Sequence, residues 1–307
     1  MPGICILQDP SRQAELEQTV TLSDGRSLGY AEFGSFDEDA IPLFFLHGRP
    51  GSRLHAAWFD EAAYDMNVRI IAVDRPGFGV STQKYNRKVL DWPADLSEMA
   101  KLLGISQYYI IGYSAGGPYA LACAHALPKS ELLGVGILAG MGPYESAIAG
   151  KTWSQRMIYN FSYYMPRLAQ RFVHQGFIDF EEGKDQDKMI DTFMKNIPLA
   201  DQEFLCGSPE IAPIFPISVQ QTFSQGFETY IIEKAMLSSD WGFELEDIQD
   251  QNIVLWNGTE DKNVPLFMGH YLNEHLPSSE LKIYEGDTHY TINMHAEEIL
   301  CDLLSIA

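Results

Sequence analysis

The stretch of the chain that most restricts its fold is residues 110–117, which read IIGYSAGG. The apolar residues 108–111 predict a short buried strand, and the small residues 115–127 predict a buried helix. Between them, glycines two positions before and after Ser114 form the pattern Gly-x-Ser-x-Gly. The pattern alone also occurs in ordinary turns, but a strand, a sharp turn and a helix in succession are typical of a turn that exposes a reactive serine. Cβ atoms beside the serine would clash in so tight a turn, and glycine removes them.

Apolar runs recur along the chain with the spacing of an α/β protein. Four of them predict buried strands, at residues 42–46, 69–73, 108–111 and 132–139, and two further strands are predicted at 253–256 and 281–284. Helical patterns follow these runs, as expected for a parallel sheet covered by helices. Nearer the start of the chain, alternating apolar and polar residues at 17–22 and 26–33 flank a Gly-containing turn and predict an antiparallel hairpin. The sequence therefore predicts an α/β fold with a mostly parallel central sheet and flanking helices.

The alternation of strands and helices stops at Pro143. Up to about Asp240 there is no clean buried strand, and helical patterns lie at residues 153–161, 166–175, 188–194 and 219–236. We therefore predict a core domain formed by residues 1–142 and 241–307, with residues 143–240 inserted as a helical cap. The candidates for a substrate-pocket wall in this insertion are Phe161, Tyr164, Met165 and Phe172. Their helical spacing fits ordinary packing equally well.

Three chemically complementary residues follow predicted strands: Ser114, Asp261 and His289. Because the carboxyl ends of parallel strands meet at one edge of a sheet, we expect these side chains to lie close together. A serine hydroxyl needs a base within hydrogen-bond reach, and that base needs a carboxylate to hold its tautomer. We expect His289 to take the Ser114 proton and Asp261 to orient the imidazole. The adjacent Glu260 is the alternative acid.

The loop at residues 47–53, HGRPGSR, follows the first strand of the predicted parallel sheet. The backbone N–H groups of Arg49 in this loop and of Ala115 after the serine are expected to form an oxyanion hole, which binds the negative charge that develops on a carbonyl oxygen. The same loop sequence is also compatible with an ordinary turn.

Neighbouring residues have weaker sequence signals. Gly48 and Tyr113 are adjacent to the expected oxyanion donor and to the serine, and we expect them to contact substrate. His47 lies at a strand end, where a structural hydrogen-bonding role is expected rather than direct chemistry.

Taken together, these motifs resemble the α/β-hydrolase superfamily, in the large group that has a helical cap. The matching segments are residues 47–52, 74–79, 112–117, 241–245, 258–265 and 286–289, which read HGRPGS, DRPGFG, GYSAGG, WGFEL, GTEDKNVP and GDTH. The resemblance extends from about residue 17 to the end of the chain, apart from the cap, and implies a catalytic triad of serine, aspartate and histidine. The family spacing of Gly258, the acid and Pro265 favours Asp261 over Glu260.

Two features of the chain qualify that resemblance. The family often has glycine directly before the last histidine, and Thr288 stands there instead. The nucleophile position holds serine rather than aspartate, which argues against the epoxide-hydrolase and haloalkane-dehalogenase members.

The resemblance implies a serine hydrolase that cleaves an ester, a lactone or a thioester of a small apolar metabolite. Hydrolysis of a carbon–carbon bond or of a peptide end belongs to the same reaction class and stays open. The alternatives are a non-hydrolytic cyclase or isomerase that uses the same site, and a ligand-binding pseudoenzyme, because fold does not fix function. No metal or cofactor is expected.

The charge of the chain restricts its partners. The 307 residues include 42 acidic and 21 basic side chains, a formal net charge of −21, which repels nucleic acid and anionic membranes. No apolar run approaches a membrane span, the first ten residues are too short and polar for a signal peptide, and four cysteines lack metal-site spacing. We expect a cytoplasmic protein that acts on a small-molecule substrate. The sequence is compatible with a homodimer.

Overall fold

An eight-stranded sheet forms the centre of the protein in a computed structural model, which describes residues 5–149, 186–249 and 251–306. The strands are β1 Gln18–Thr21, β2 Ser27–Gly34, β3 Ile41–Leu46, β4 Val68–Val73, β5 Tyr108–Tyr113, β6 Leu132–Leu138, β7 Ile253–Gly258 and β8 Ser279–Tyr284. Their order in the sheet is β1-β2-β4-β3-β5-β6-β7-β8. Strand β2 pairs antiparallel with β1 and β4, and all other pairings are parallel. The predicted hairpin and mostly parallel sheet are confirmed.

Helices connect and cover these strands. In the described residues they are α1 Gln13–Leu16, α2 Asp60–Asp65, α3 Trp92–Leu102, α4 Gly117–Ala126, α5 Tyr144–Ala149, α6 Gln186–Asn196, α7 Leu199–Cys206, α8 Ile214–Thr222, α9 Glu228–Leu237, α10 Leu266–His275 and α11 Ala296–Leu304. A 3-10 helix, Arg53–Phe59, precedes α2, and another, Ser114–Gly116, precedes α4. No helix among the described residues is long and apolar enough to cross a membrane.

Helices bury both faces of the sheet, which explains why the central strands β3, β5 and β6 contain no charged side chain. In β3, Phe44 and Leu46 pack with α3, α4 and α10 on one face. Leu43 and Phe45 point the other way and pack with α2 and α11. This two-residue alternation is the pleat of a strand, and it places one apolar core on each side of the sheet.

Five of the described helices, α5 to α9, lie between β6 and β7 in the chain, and we call residues 186–237, which contain α6 to α9, the helical segment. The predicted helix at 188–194 is confirmed as α6, but the single helix predicted at 219–236 is wrong. The chain leaves the helix after Thr222, and Gly226 adopts a φ of +96°, which favours glycine. The side chains of Ser224 and Gln225 hydrogen-bond to the carbonyl of Gly79, so the break is tied to the core.

The helical segment packs against the sheet edge at which the parallel strands end. Its apolar core includes Phe204, Phe215, Val219 and Tyr290, the last of which directly follows His289. The hydroxyls of Ser218 and Thr222 on α8 bind backbone groups of Ser52 and Gly51. The helices predicted at 153–161 and 166–175 lie outside the described residues, and the boundaries of the inserted domain stay a prediction.

Candidate active site

A strained turn presents Ser114 directly after β5. Its φ is +53°, in the left-handed region that non-glycine residues seldom adopt. A Cβ on Gly112 would lie 2.7 Å from the Ala120 Cβ, and one on Gly116 would lie 2.1 Å from the Leu46 carbonyl oxygen. Real Cβ atoms do not approach so closely, so both glycines of the motif are required by space. The strand, turn and helix predicted around the serine are all present.

Ser114, His289 and Asp261 form a continuous hydrogen-bonded chain. His289 Nε2 lies 3.0 Å from Ser114 Oγ, and His289 Nδ1 lies 2.7 Å from Asp261 Oδ2. The N–H groups of Asn263 and Val264 donate to the other carboxylate oxygen, Asp261 Oδ1, at 2.8 Å each. These contacts fit an imidazole that donates from Nδ1 to the carboxylate and accepts at Nε2 from the serine hydroxyl. The three side chains are at most 6% exposed and follow β5, β8 and β7.

Glu260, the alternative acid, faces solvent. Its side chain has no hydrogen bond to His289, whereas its backbone N–H donates to the Asp287 carbonyl oxygen at 2.9 Å. The structure thus brings only Asp261, of the two adjacent carboxylates, to the imidazole.

Tyr113 contacts His289 through both its hydroxyl and its ring. Its hydroxyl donates to the His289 carbonyl oxygen at 3.1 Å, and the two rings stack with their centroids 5.3 Å apart. The Tyr113 side chain is fully buried by these contacts and by the rings of His55 and Trp58. A contact between Tyr113 and substrate stays a prediction.

Asp201, on α7 of the helical segment, contacts both residues that flank His289. Its Oδ1 accepts a hydrogen bond from the Thr288 hydroxyl and another, at 2.9 Å, from the Tyr290 N–H. The carboxylate is only 1% exposed. Asp201 was not among the residues predicted from the sequence, where the one related feature is Thr288, a hydroxyl-bearing residue where the family often has glycine. The structure shows that this hydroxyl binds a carboxylate 87 residues away.

The backbone of residues 47–53 passes close to Ser114. A Cβ on Gly48 would lie 3.1 Å from the Ser114 Cβ and from the Tyr113 ring, so glycine allows this approach. The Arg49–Pro50 peptide bond is cis. Across the described residues, neither the Arg49 N–H nor the Ala115 N–H donates to another element. Both donors are thus available, and the oxyanion hole stays a prediction.

A buried arginine, Arg75, hydrogen-bonds to the backbone of residues 47–53. Arg75 donates from Nη1 to the His47 carbonyl oxygen and from Nη2 to that of Gly48 at 3.4 Å. His47 is fully buried; it donates from Nδ1 to the Gly48 carbonyl and accepts at Nε2 from the Arg75 N–H. Burial, followed by the Arg75 charge, holds the pKa of His47 well below its usual value. The geometry fits the structural role expected for this histidine.

Glu233, on α9, pairs with the same arginine. Its carboxylate accepts two hydrogen bonds from Arg75, at 2.7 and 3.1 Å, one from the Tyr119 hydroxyl at 2.8 Å and one from Arg87 at 3.4 Å. Burial alone would raise the pKa of Glu233, but the charges and hydrogen bonds of these arginines lower it to about 2. Helix α9 is therefore linked through Arg75 to the loop that contains Arg49.

An apolar cavity of about 180 Å³ lies between the loop and the helical segment. Its lining residues are Pro50, Ile190, Phe193, Phe215, Val219, Phe223 and Tyr230. Two other cavities, of about 230 and 690 Å³, are not lined by Ser114, Asp261 or His289. The predicted pocket residues Phe161, Tyr164, Met165 and Phe172 lie outside the described residues. Among those described, no group of three or more histidine, cysteine or acidic residues is arranged to hold a metal ion.

A family model described as the alpha/beta hydrolase family matches residues 43–302. A proline iminopeptidase from Lactobacillus delbrueckii subsp. lactis is 25% identical over 285 residues, which are 87% of this chain and 90% of that protein. A 2-hydroxy-6-oxononadienedioate/2-hydroxy-6-oxononatrienedioate hydrolase from Paraburkholderia phymatum is 25% identical over 277 residues, 85% of this chain and 86% of that protein.

Solved structures show the same architecture. An esterase from Exiguobacterium antarcticum superposes with a TM-score of 0.67 at 17% identity, covering 94% of this chain and 98% of the esterase. A bromoperoxidase from Bacillus anthracis also has a TM-score of 0.67, at 18% identity, covering 94% of this chain and 99% of the other. At these identities the likeness establishes the fold alone.

Proposed function

The chain belongs to the alpha/beta hydrolase family, and we propose that it is a serine hydrolase that cleaves an ester, a lactone or a thioester of a small apolar metabolite. One observation supports this proposal above all others. His289 lies between Ser114 Oγ and the Asp261 carboxylate, at 3.0 and 2.7 Å, which is the geometry that activates a serine hydroxyl.

The proposed reaction has two halves. Ser114 Oγ attacks the substrate carbonyl while His289 Nε2 takes its proton, and the Arg49 and Ala115 N–H groups bind the oxyanion. His289 then returns the proton to the departing alcohol or thiol, which leaves an acyl group on Ser114. A water molecule then attacks the acyl carbon while His289 takes one of its protons. The bond to Ser114 Oγ breaks as His289 returns that proton to the serine, and the carboxylic acid is released. Asp261 holds the imidazole tautomer and stabilises its charged form throughout.

We propose that residues 143–240 form the cap that determines which acyl groups enter. The cavity of about 180 Å³ has six lining residues from the helical segment with aromatic or branched side chains close to the Arg49 loop. The apolar lining of this cavity favours a substrate with an apolar part.

The relatives extend the range of substrates that must be tested. The iminopeptidase acts, by its name, on a proline at a peptide end, and the oxononadienedioate hydrolase acts on a dicarboxylic acid. An acyl-transfer site with the proposed geometry is compatible with both reactions. A panel of 4-nitrophenyl esters of graded acyl length, with proline 4-nitroanilide beside it, separates ester from peptide-end hydrolysis.

The decisive variant is Ser114→Ala. Removing the nucleophile is expected to lower turnover by about 10⁶-fold, as in a comparable triad on another fold. The hydroxyl is small, so circular dichroism and the thermal midpoint should stay near the parental values. Ser130→Ala, at an exposed serine, is the control and should retain full activity. If Ser114→Ala kept more than about a tenth of the turnover, Ser114 would not be the nucleophile and the non-hydrolytic alternative would gain support.

A further inference from the structure

Positive charge is in excess around Glu233, although the chain as a whole has a formal net charge of −21. Arg75 and Arg87 both bind the Glu233 carboxylate, and the charge of Arg49 is close enough to lower its pKa as well. Two guanidinium groups thus bind one carboxylate, and the charge of a third, Arg49, acts on it from nearby. The nearby buried Asp74 does not correct the imbalance, because it already pairs with Arg53 at 2.6 Å.

Arg49 is the guanidinium in this group that has no carboxylate partner among the described residues. Its Nε and Nη1 atoms are shielded from solvent and have no hydrogen-bond partner there. The Tyr230 ring lies 4.8 Å from its central carbon, a cation–π contact that stabilises the charge but offers no acceptor to these N–H groups at the ring face. A buried N–H group without an acceptor lowers the stability of the folded protein. In native proteins such a group usually binds water or a ligand.

The position of Arg49 connects it with the proposed reaction. Its backbone N–H is one of the two proposed oxyanion donors, and the next residue, Pro50, lines the apolar cavity. Tyr230, under the guanidinium, lines the same cavity. A molecule whose carbonyl lies at Ser114 and whose apolar part fills the cavity would therefore extend past the Arg49 side chain.

We infer that the Arg49 guanidinium binds a carboxylate of the substrate, so that the natural substrate is an acyl compound that also carries one negative charge. This inference rests on the proposed hydrolase function and narrows it. A single guanidinium without a carboxylate partner in the described part of the chain matches a monoanion, and arginine is well suited to recognise carboxylates. The net charge of the chain opposes anionic substrates at long range, so a preference for one must come from a local group such as Arg49.

Matched esters test the inference. On the acyl side, 4-nitrophenyl hydrogen glutarate and 4-nitrophenyl pentanoate have the same backbone length and differ in a terminal carboxylate. On the alcohol side, the pentanoate esters of 4-hydroxybenzoate and 4-hydroxybenzamide differ in a carboxylate against a neutral amide. We expect the parent to prefer at least one anionic ester in kcat/KM by about tenfold or more, and Arg49→Gln to remove that preference. Arg49→Gln keeps the backbone N–H, so the change in the ratio reports on the guanidinium.

The control is Lys129→Gln, which removes one positive charge at an exposed site at the opposite end of β6. An equal change of the ratio in this variant would mean that only the overall charge matters, and the inference would be overturned. A parent that hydrolyses the neutral esters without any anionic preference would also overturn it while leaving the proposed function intact.

If no ester is hydrolysed, the proposed function fails. A binding measurement then tests the role of Arg49 separately. Calorimetric titration with monomethyl glutarate and methyl pentanoate should then still show tighter binding of the anion, by about tenfold, and loss of the difference in Arg49→Gln. Equal affinities in the parent would overturn the inference without reference to catalysis.

Discussion

Two adjacent carboxylates, Glu260 and Asp261, follow β7, and their surroundings predict different roles. Asp261 is buried against His289, whereas Glu260 is exposed. We expect Asp261→Asn to lower kcat by roughly 10⁴-fold, because an amide favours the wrong imidazole tautomer, as in serine proteases with this constellation. Steady-state kinetics on 4-nitrophenyl butyrate measures the effect. Glu260→Gln is the matched control and should stay within about twofold of the parent, since an exposed charge has little influence at a distance. The reverse order would move the acid role to Glu260.

His55 is a buried histidine outside the hydrogen-bonded chain. It is 1% exposed, its ring stacks on Trp58 with centroids 4.7 Å apart, and neither ring nitrogen has a hydrogen-bond partner in the described chain. Burial, followed by the charges of Arg75 and His289, lowers the pKa of His55 from 6.5 to about 3. The unfolded chain therefore binds a proton at this position before the folded protein does. Stability from neutral His55 is complete above pH 6.5 and is lost progressively as the pH falls toward 3.

We expect His55→Phe to reduce the loss of stability in acid. The phenyl ring keeps the stacking on Trp58 and removes two unpartnered polar atoms, so the free energy of unfolding at pH 7 should be equal or higher. Between pH 6.5 and 3 the parent should lose up to about 1.4 kcal/mol per pH unit more than the variant, the value for one proton. Urea unfolding at several pH values measures this slope. His270→Gln, at an exposed histidine, should leave the slope unchanged, and parallel slopes for parent and His55→Phe would contradict the prediction.

At the scale of elements, α7 is attached to the loop that follows β8. Asp201 accepts hydrogen bonds from Thr288 and Tyr290, on both sides of His289. We expect Thr288→Val to lower kcat by about tenfold with little change in KM, because losing a hydrogen bond to a charged acceptor costs roughly 1.5–3 kcal/mol and loosens the imidazole. Steady-state kinetics over several ester concentrations separates kcat from KM.

Thr288→Ser keeps the hydroxyl and should restore nearly parental turnover. Equal losses in Thr288→Val and Thr288→Ser would mean that the methyl group matters rather than the hydrogen bond. Asp201→Asn retains an acceptor oxygen and is expected to be milder than Asp201→Ala.

The sequence was sufficient for the elements whose signals are local. Apolar runs at 108–111 and 253–256 precede Ser114 and Asp261, and the pattern of glycines around Ser114 lies within five residues of the chain. Asp201 and Glu233 could not be found in this way, because their partners are 87 and 158 residues away and an acid on a helix resembles any solvated surface residue. The break between α8 and α9 was missed for a related reason. Its stabilising contacts are with the carbonyl of Gly79, far away in the chain.

At the scale of the whole molecule, the Arg75–Glu233 pair joins the core to the helical segment. Removing one partner of a buried pair typically costs about 3–5 kcal/mol, because the other charge stays buried without compensation. We therefore expect Glu233→Gln to lower the free energy of unfolding by about that amount at pH 7. The folded pKa of about 2 lies below the usual 4.5, so the contribution is complete above pH 4.5 and is lost as the pH falls toward 2.

Urea unfolding of parent and Glu233→Gln over this range measures the difference, which should shrink as the pH falls. Glu228→Gln, at an exposed site of the same helix, is the control and should change stability by less than about 0.5 kcal/mol. A difference that does not vary with pH would contradict the assignment of the lowered pKa to Glu233.

Arg75 contacts α9 through Glu233 and the loop before Arg49 through two backbone carbonyls. Detachment of the helical segment would release that loop while the eight-stranded sheet stayed intact. The protein should therefore possess a partly opened state, lower in free energy than the unfolded chain, in which the sheet is native and the nucleophile has lost one of its oxyanion donors. Catalysis would then cease at a lower urea concentration than the one that melts the sheet, and amide protons of α9 would exchange with solvent before those of β5.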